Sequence, residues 1–136
     1  MRAIIASGVF VSAPIRQSGT TGDVLRAARD GRFQLVYSTE LVVELIDVLG
    51  RTTFHEKYHI QADDISVLVN LIRLRGELVT PTRKVSACRD PKDDKFLEAA
   101  LATPADCIVS GGADLLILTP FETIPILRPA EFLARL

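Results

Sequence analysis

Residues 89–116 read RDPKDDKFLEAALATPADCIVSGGADLL, and several local signals follow one another along them. Asp90 stands as a helix N-cap, Pro91 takes the first helical position, and Asp93 and Asp94 put acid in the first turn, where the helix dipole favours it. KFLEAALA then supplies strong helix formers. Cys107 to Val109 is a short apolar run of the kind a parallel sheet buries on both faces. After it, Ser110, Gly111 and Gly112 make a permissive turn ahead of Asp114 and a helical turn over Ala113 to Leu116. Helix, buried strand, turn and helical turn in that order predict a βα alternation.

The alternation continues outward. Ala3 to Ile5 reads as a buried strand ending in a turn at Ala6-Ser7-Gly8, with a short helix over Val9 to Ala13 and a loop from Ile15 to Gly22. A helix over Asp23 to Arg32 leads to a strand at Gln34 to Tyr37. Ser38 or Thr39 then caps a helix that runs to Gly50. Thr52 to Tyr58 reads as a short helix or loop, and Ala62 to Arg75 as an amphipathic helix that Gly76 closes before a strand at Leu78 to Val79. A strand near Thr123 to Leu127 and a helix over PAEFLARL finish the chain. The expected architecture is one domain spanning residues 1–136, a three-layer α/β/α sandwich around a mostly parallel sheet. Ligands of such sheets sit outside the carboxyl ends of the strands, which singles out Ala6-Ser7-Gly8 and Ser110-Gly111-Gly112.

Composition excludes several classes. A formal net charge of -1 removes any global basic field, so a nucleic acid would have to be met locally, through the cations between Arg73 and Lys95. Acids are interleaved there, and a solvated surface is the simpler reading of the stretch. Cys88 and Cys107 lack the context of a disulfide framework or a metal site and are expected to be reduced. The N-terminal apolar run has neither the length nor the flanks of an export signal or membrane span, giving the expectation of a soluble, cytoplasmic protein. SGTTGD lacks the Lys-Ser/Thr of a phosphate loop, His55 and His59 lack the surroundings of a zinc-protease helix, and neither a Gly-x-Ser-x-Gly elbow nor a Gly-x-Gly-x-x-Gly turn occurs.

What remains is carboxylate chemistry. Glu44, Asp93 or Asp94, and Asp114 all fall where the sheet's carboxyl edge is expected, and carboxylates gathered there need a cation. Mg2+ or Mn2+ suits oxygen ligands. The structural alternatives are equally concrete: Asp90, Asp93 and Asp94 as helix-start acids, Glu44 on a solvated stripe with Glu40 and Asp47, and Asp114 capping a helical turn.

Four stretches together resemble the PIN-domain family, in particular its small bacterial members counted as toxins of toxin-antitoxin pairs: MRAIIASGVFVSA, STELVVELIDVLGR, CRDPKDDKFLEAALA and CIVSGGADLLIL. The resemblance implies a metal-dependent ribonuclease whose carboxylates hold one or two divalent ions at the edge of a parallel sheet. Glu44 matches the family's helix Glu, Asp94 the helix-start Asp and Asp114 the second acid of the closing turn, with Asp93 as a reserve ligand and Ser110 and Ser7 behind them. Two acids of the pattern are replaced. The first strand of the family ends in Asp-Thr-Asn where this chain has Ala6-Ser7-Gly8, and the closing turn reads Thr-Gly-Asp-x-Asp where this chain has Ser110-Gly111-Gly112-Ala113-Asp114.

The expectation is therefore a PIN-type ribonuclease with weakened metal binding and weak or lost activity. It would act on RNA with Arg83, Lys84 and Arg89 as nucleic-acid contacts, pair with an antitoxin protein and form a homodimer. The alternative is a catalytically silent module of the same fold that binds RNA or an antitoxin. A third reading is a domain whose apolar helix faces serve only to build an oligomer.

Overall fold

The computed structural model describes residues 1–15, 20–51 and 62–136. His55, His59 and the segment expected at Thr52 to Tyr58 lie outside the described residues. The strands are β1 (Arg2–Ile5), β2 (Gln34–Tyr37), β3 (Gly76–Leu78), β4 (Cys107–Val109) and β5 (Ile126–Leu127). They form one sheet in the order β3-β2-β1-β4-β5, with every pairing parallel. The helices are α1 (Ser7–Ile15), α2 (Thr20–Arg29), α3 (Thr39–Leu49), α4 (Ala62–Arg75), α5 (Asp94–Ala102), α6 (Ala113–Leu116) and α7 (Pro129–Ala134), and a 3₁₀ turn at Pro91–Asp93 leads into α5.

Strands β1, β2, β4 and β5 are apolar on both faces because both faces are covered. Ala3, Ile5, Leu35, Cys107, Val109 and Leu127 join one core with α1, α2, α3, α4 and α7. The alternate residues Ile4, Val36, Ile108 and Ile126 join a second core with Phe96, Leu97, Ala99 and Ala100 of α5 and Leu115 of α6. This two-residue alternation between two apolar layers is what a continuous hydrophobic strand means in a parallel sheet. Phe132 of α7 is fully buried and meets Phe33 edge-on at 4.8 Å, a contact that locks the C-terminal helix to the first layer.

Local chemistry sets the boundaries. Ser38 accepts the Leu41 amide at 3.4 Å and caps α3, and Asp90 accepts the Lys92 amide at 3.0 Å as expected of a helix-start acid. Other boundaries moved. Ser7 and Gly8 are the first residues of α1 rather than a turn, and α2 begins at Thr20. Gly76 is the first residue of β3, not a helix cap. A Cβ there would lie 2.3 Å from the Ile72 carbonyl oxygen and 2.6 Å from the Tyr37 ring, so glycine is required where α4 turns directly into the edge strand. The expected last strand shrinks to Ile126–Leu127 because Phe121 and Ile124 bridge in a tight turn, with Glu122 and Thr123 at positive φ.

The strand order places the site. From β1 the chain winds outward through β2 to β3, then returns to the other side of β1 for β4 and β5. The winding direction therefore reverses between β1 and β4, and the crevice at such a switch point is where open parallel sheets bind ligands.

Candidate functional site

A cavity of about 500 Å³ opens at that switch point, lined by Ala6, Ser7 and Gly8 beyond β1, Ser110 to Asp114 beyond β4, and Asp93 and Phe96 at the start of α5. The two strand ends are held together where the Ala6 amide donates to the Val109 carbonyl at 2.9 Å. Ser110 is buried, and its Oγ accepts the Gly112 amide at 3.0 Å, which shapes the turn.

Asp93 and Asp94 are neighbours in sequence with opposite duties. Asp94 is buried at 8% exposure, and its Oδ1 accepts the Ala87 amide at 3.1 Å and the Cys88 amide at 2.8 Å. Burial alone would raise its pKa, but the amides of Cys88 and Ala87 and the Cys88 thiol together hold the carboxyl below its ordinary value. The same arrangement, burial first and then Asp94, pushes the Cys88 thiol up to about 12. Asp93 stands at the N-cap of α5 yet makes no capping hydrogen bond, and it lines the cavity. Burial, then the charges of Asp90 and Glu44, raise its pKa; Lys95 opposes the shift and Asp114 adds to it. Among the expected site residues, the cavity thus gathers Asp93, Asp114, Ser110 and Ser7, while Asp94 does not line it and turns one oxygen to the 87–88 backbone.

Glu44 reaches the rim from α3. One of its oxygens accepts the Ser7 hydroxyl at 3.4 Å, and the other is paired with the Lys95 ammonium. On its outer side Glu44 also borders an open groove along α3 with Glu40, Asp47 and Arg51. Glu40 and Asp47 are exposed, so the acidic stripe read from the helix wheel exists and Glu44 forms its inner margin.

The Lys95–Glu44 pair is a contact that sequence reasoning did not anticipate. A usable signal was present: a cation in the first turn of a helix works against the dipole, and such a local misfit points to a tertiary partner.

Ala6 and Gly112 occupy corresponding places, each directly preceding the helix that leaves a strand at the switch point. Ala is a poor residue at an N-cap and Asp a good one. At Gly112 the backbone does not demand the small residue: it has φ −86° and ψ 133°, an extended conformation, and a Cβ there would meet only Ser110 Oγ at 3.5 Å, whereas Ala6 is a buried member of the second core.

The donor set does not fit a divalent ion. Among the described residues no three Asp, Glu, His or Cys side chains gather so as to hold a metal. Both oxygens of Glu44 already have donors, and one oxygen of Asp94 is committed to two backbone amides. The basic residues are also differently disposed from a simple patch: the Arg83 guanidinium is bidentate to Glu122 at 2.8 and 2.6 Å, while Lys84 and Arg89 are exposed. No helix among the described residues is long and apolar enough to cross a membrane.

An all-parallel sandwich with an acidic crevice between β1 and β4 defines a class of α/β proteins that bind ligands at a sheet edge. Within that class the chain belongs to the PIN domain family, whose sequence model matches residues 2–113. No curated protein sequence matches it. Among solved structures it is similar to a chain in the crystal structure of VapBC2 from Rickettsia felis bound to a DNA fragment from their promoter, with TM-score 0.60, 11% identity, and coverage of 94% of this chain and 98% of the other.

Proposed function

We propose that this chain is a ribonuclease-type PIN protein, the toxin-like member of a toxin-antitoxin pair, whose hydrolytic site has been silenced by the residues at positions 6 and 112. The observation that carries the reading is the pairing of those positions. Both stand at the head of a helix leaving the switch point, both line the same cavity as Asp93 and Asp114, and neither bears a carboxylate. A family site of this kind uses clustered acids to bind Mg2+ or Mn2+, which neutralises charge developing on a phosphodiester. In this chain Ser7 and Ser110 still shape the edge and Asp114 still faces the cavity, but the acids are too few to define a divalent site.

Antitoxin pairing is the partner reading that the family membership and the VapBC2 likeness support. RNA is the substrate reading, with Lys84 and Arg89 as the exposed cations toward a backbone. The test compares the chain as it stands with a variant carrying Ala6→Asp and Gly112→Asp, each given single-stranded RNA and manganese. Cleavage by the double variant alone supports the proposal. Robust cleavage by the unchanged chain, abolished by Asp114→Asn, removes the claim that the site is silent, and inactivity of a folded double variant removes the nuclease reading.

A further inference from the structure

The Lys95–Glu44 pair is placed as a helix-start lysine has no local reason to be. Lys95 is the second residue of α5, where the dipole disfavours a cation. Its partner lies 51 residues away in sequence, on α3. The two side chains are only 20% and 23% exposed, so their attraction is less screened than that of the molecule's outer pairs. Arg26–Asp23, Arg51–Asp47 and Arg83–Glu122 are all 43% exposed or more on both sides. With Ser7 donating to its other oxygen, Glu44 has a donor on each oxygen. The field of the ammonium reaches Asp93 as well, on the cavity side of the same helix start.

We propose that Lys95 is the resident cation of this sheet edge: its ammonium holds Glu44, screens Asp93, and thereby keeps divalent ions out of the chain as it stands. The inference deepens the reading of the crevice as a silenced site, because loss of two acids leaves a charge that one tethered lysine offsets. Removing that lysine leaves Glu44 with only the Ser7 hydroxyl and adds it to Asp93 and Asp114, three carboxylates in place of two, with waters to complete the shell of a magnesium-type ion.

The probe is Mn2+ alone, read by paramagnetic broadening of backbone amide signals in the full chain labelled with 15N, together with thermal unfolding. In the unchanged chain, manganese at about 1 mM broadens the amides of Asp93, Lys95 and Gly112 no more than those of exposed helix surfaces, and the melting temperature stays within roughly 1 °C. In Lys95→Gln the same amides broaden selectively, and about 5 mM manganese raises the melting temperature by roughly 5 °C. Lys92→Gln removes the same charge one turn earlier, outside the pair, and reproduces the unchanged chain. Selective broadening at Asp93 in the unchanged chain overturns the proposal, as does a folded Lys95→Gln without a selective response. Should Lys95→Gln fail to fold, the unchanged chain still decides by itself, and Lys95→Arg must match it. These outcomes are independent of whether Ala6→Asp with Gly112→Asp cleaves RNA, so failure of the lysine inference and failure of the nuclease reading are separable.

Discussion

Replacing Asp94 by Ala would remove the acceptor of two backbone amides, those of Ala87 at 3.1 Å and Cys88 at 2.8 Å, from a position that is only 8% exposed. Hydrogen bonds to a charged acceptor contribute about 1.5–3 kcal/mol each, and the lower value suits amides that water partly reaches once the acid is gone, so Asp94→Ala should cost about 3 kcal/mol. For a chain of 136 residues that lowers the melting temperature by roughly 10 °C. Asp94→Asn keeps an acceptor oxygen and loses only the charge assistance, so its cost should be about half as large. The pH dependence follows from the carboxyl being lowered in the folded state: its stabilisation is complete above the ordinary value of 3.8 and is lost as pH falls through the lower folded value. Urea unfolding of the three proteins at pH 7, and of the unchanged chain from pH 6 down to about 2, measures both effects. If Asp94→Ala unfolds within about 0.5 kcal/mol of the unchanged chain, or Asp94→Asn is as damaging as Asp94→Ala, the backbone role assigned to Asp94 is wrong.

Asp93 carries the opposite sign. Its raised pKa means the folded state holds its proton more tightly than the unfolded chain, a contribution present at low pH and lost as pH rises through the folded value. Asp93→Asn should therefore raise the urea midpoint at pH 7 and give no gain at pH 3. Gly76→Ala drives a Cβ to 2.3 Å from a backbone oxygen, and denaturant unfolding should register a loss of about 2 kcal/mol or more. For RNA binding, Lys84→Ala with Arg89→Ala should flatten the slope of log affinity against log salt by about 1.4, the value for two single-strand phosphate contacts. Arg83→Ala should change that slope less in a filter-binding titration, because Glu122 already engages its guanidinium.

The parts of the fold legible in the sequence were those where one local signal had no competitor. Gln34–Tyr37 and Cys107–Val109 are apolar runs too short for a helix and bounded by turn residues, and both are strands as read. The Ser38 and Asp90 caps fixed the starts of α3 and of the turn into α5. Where the reading slipped, tertiary contact outweighed local preference. Gly76 has the chemistry of a helix C-cap, but the Tyr37 ring and the Ile72 carbonyl leave room there only for a glycine entering a strand. Ser7 and Gly8 looked like a turn, yet the Val9 amide bonds back to the Ala6 carbonyl at 3.0 Å and the helix starts at once.

The same distinction governs the site. That acids would face the carboxyl ends of β1 and β4 follows from strand order and could be anticipated. Which of two adjacent aspartates would line the cavity depends on a rotation of about 100° around a helix start. That choice was settled by the 87–88 amides, which no periodicity reports. Lys95 was hidden for a related reason, since its partner Glu44 is remote in sequence and shares a helix face with Glu40 and Asp47.

The central claim is that this edge is a phosphodiester-hydrolysing site lacking the two acids at positions 6 and 112. Its most direct test is the manganese-dependent rate of RNA cleavage by the Ala6→Asp, Gly112→Asp chain, measured beside the same chain with Asp114→Asn added, because Asp114 lines the same cavity. The account predicts cleavage by the first and a loss of at least about a hundredfold in the second, as expected when a group anchoring the charge-neutralising ion is removed. Equal cleavage by both, or none by a folded double variant, would contradict it.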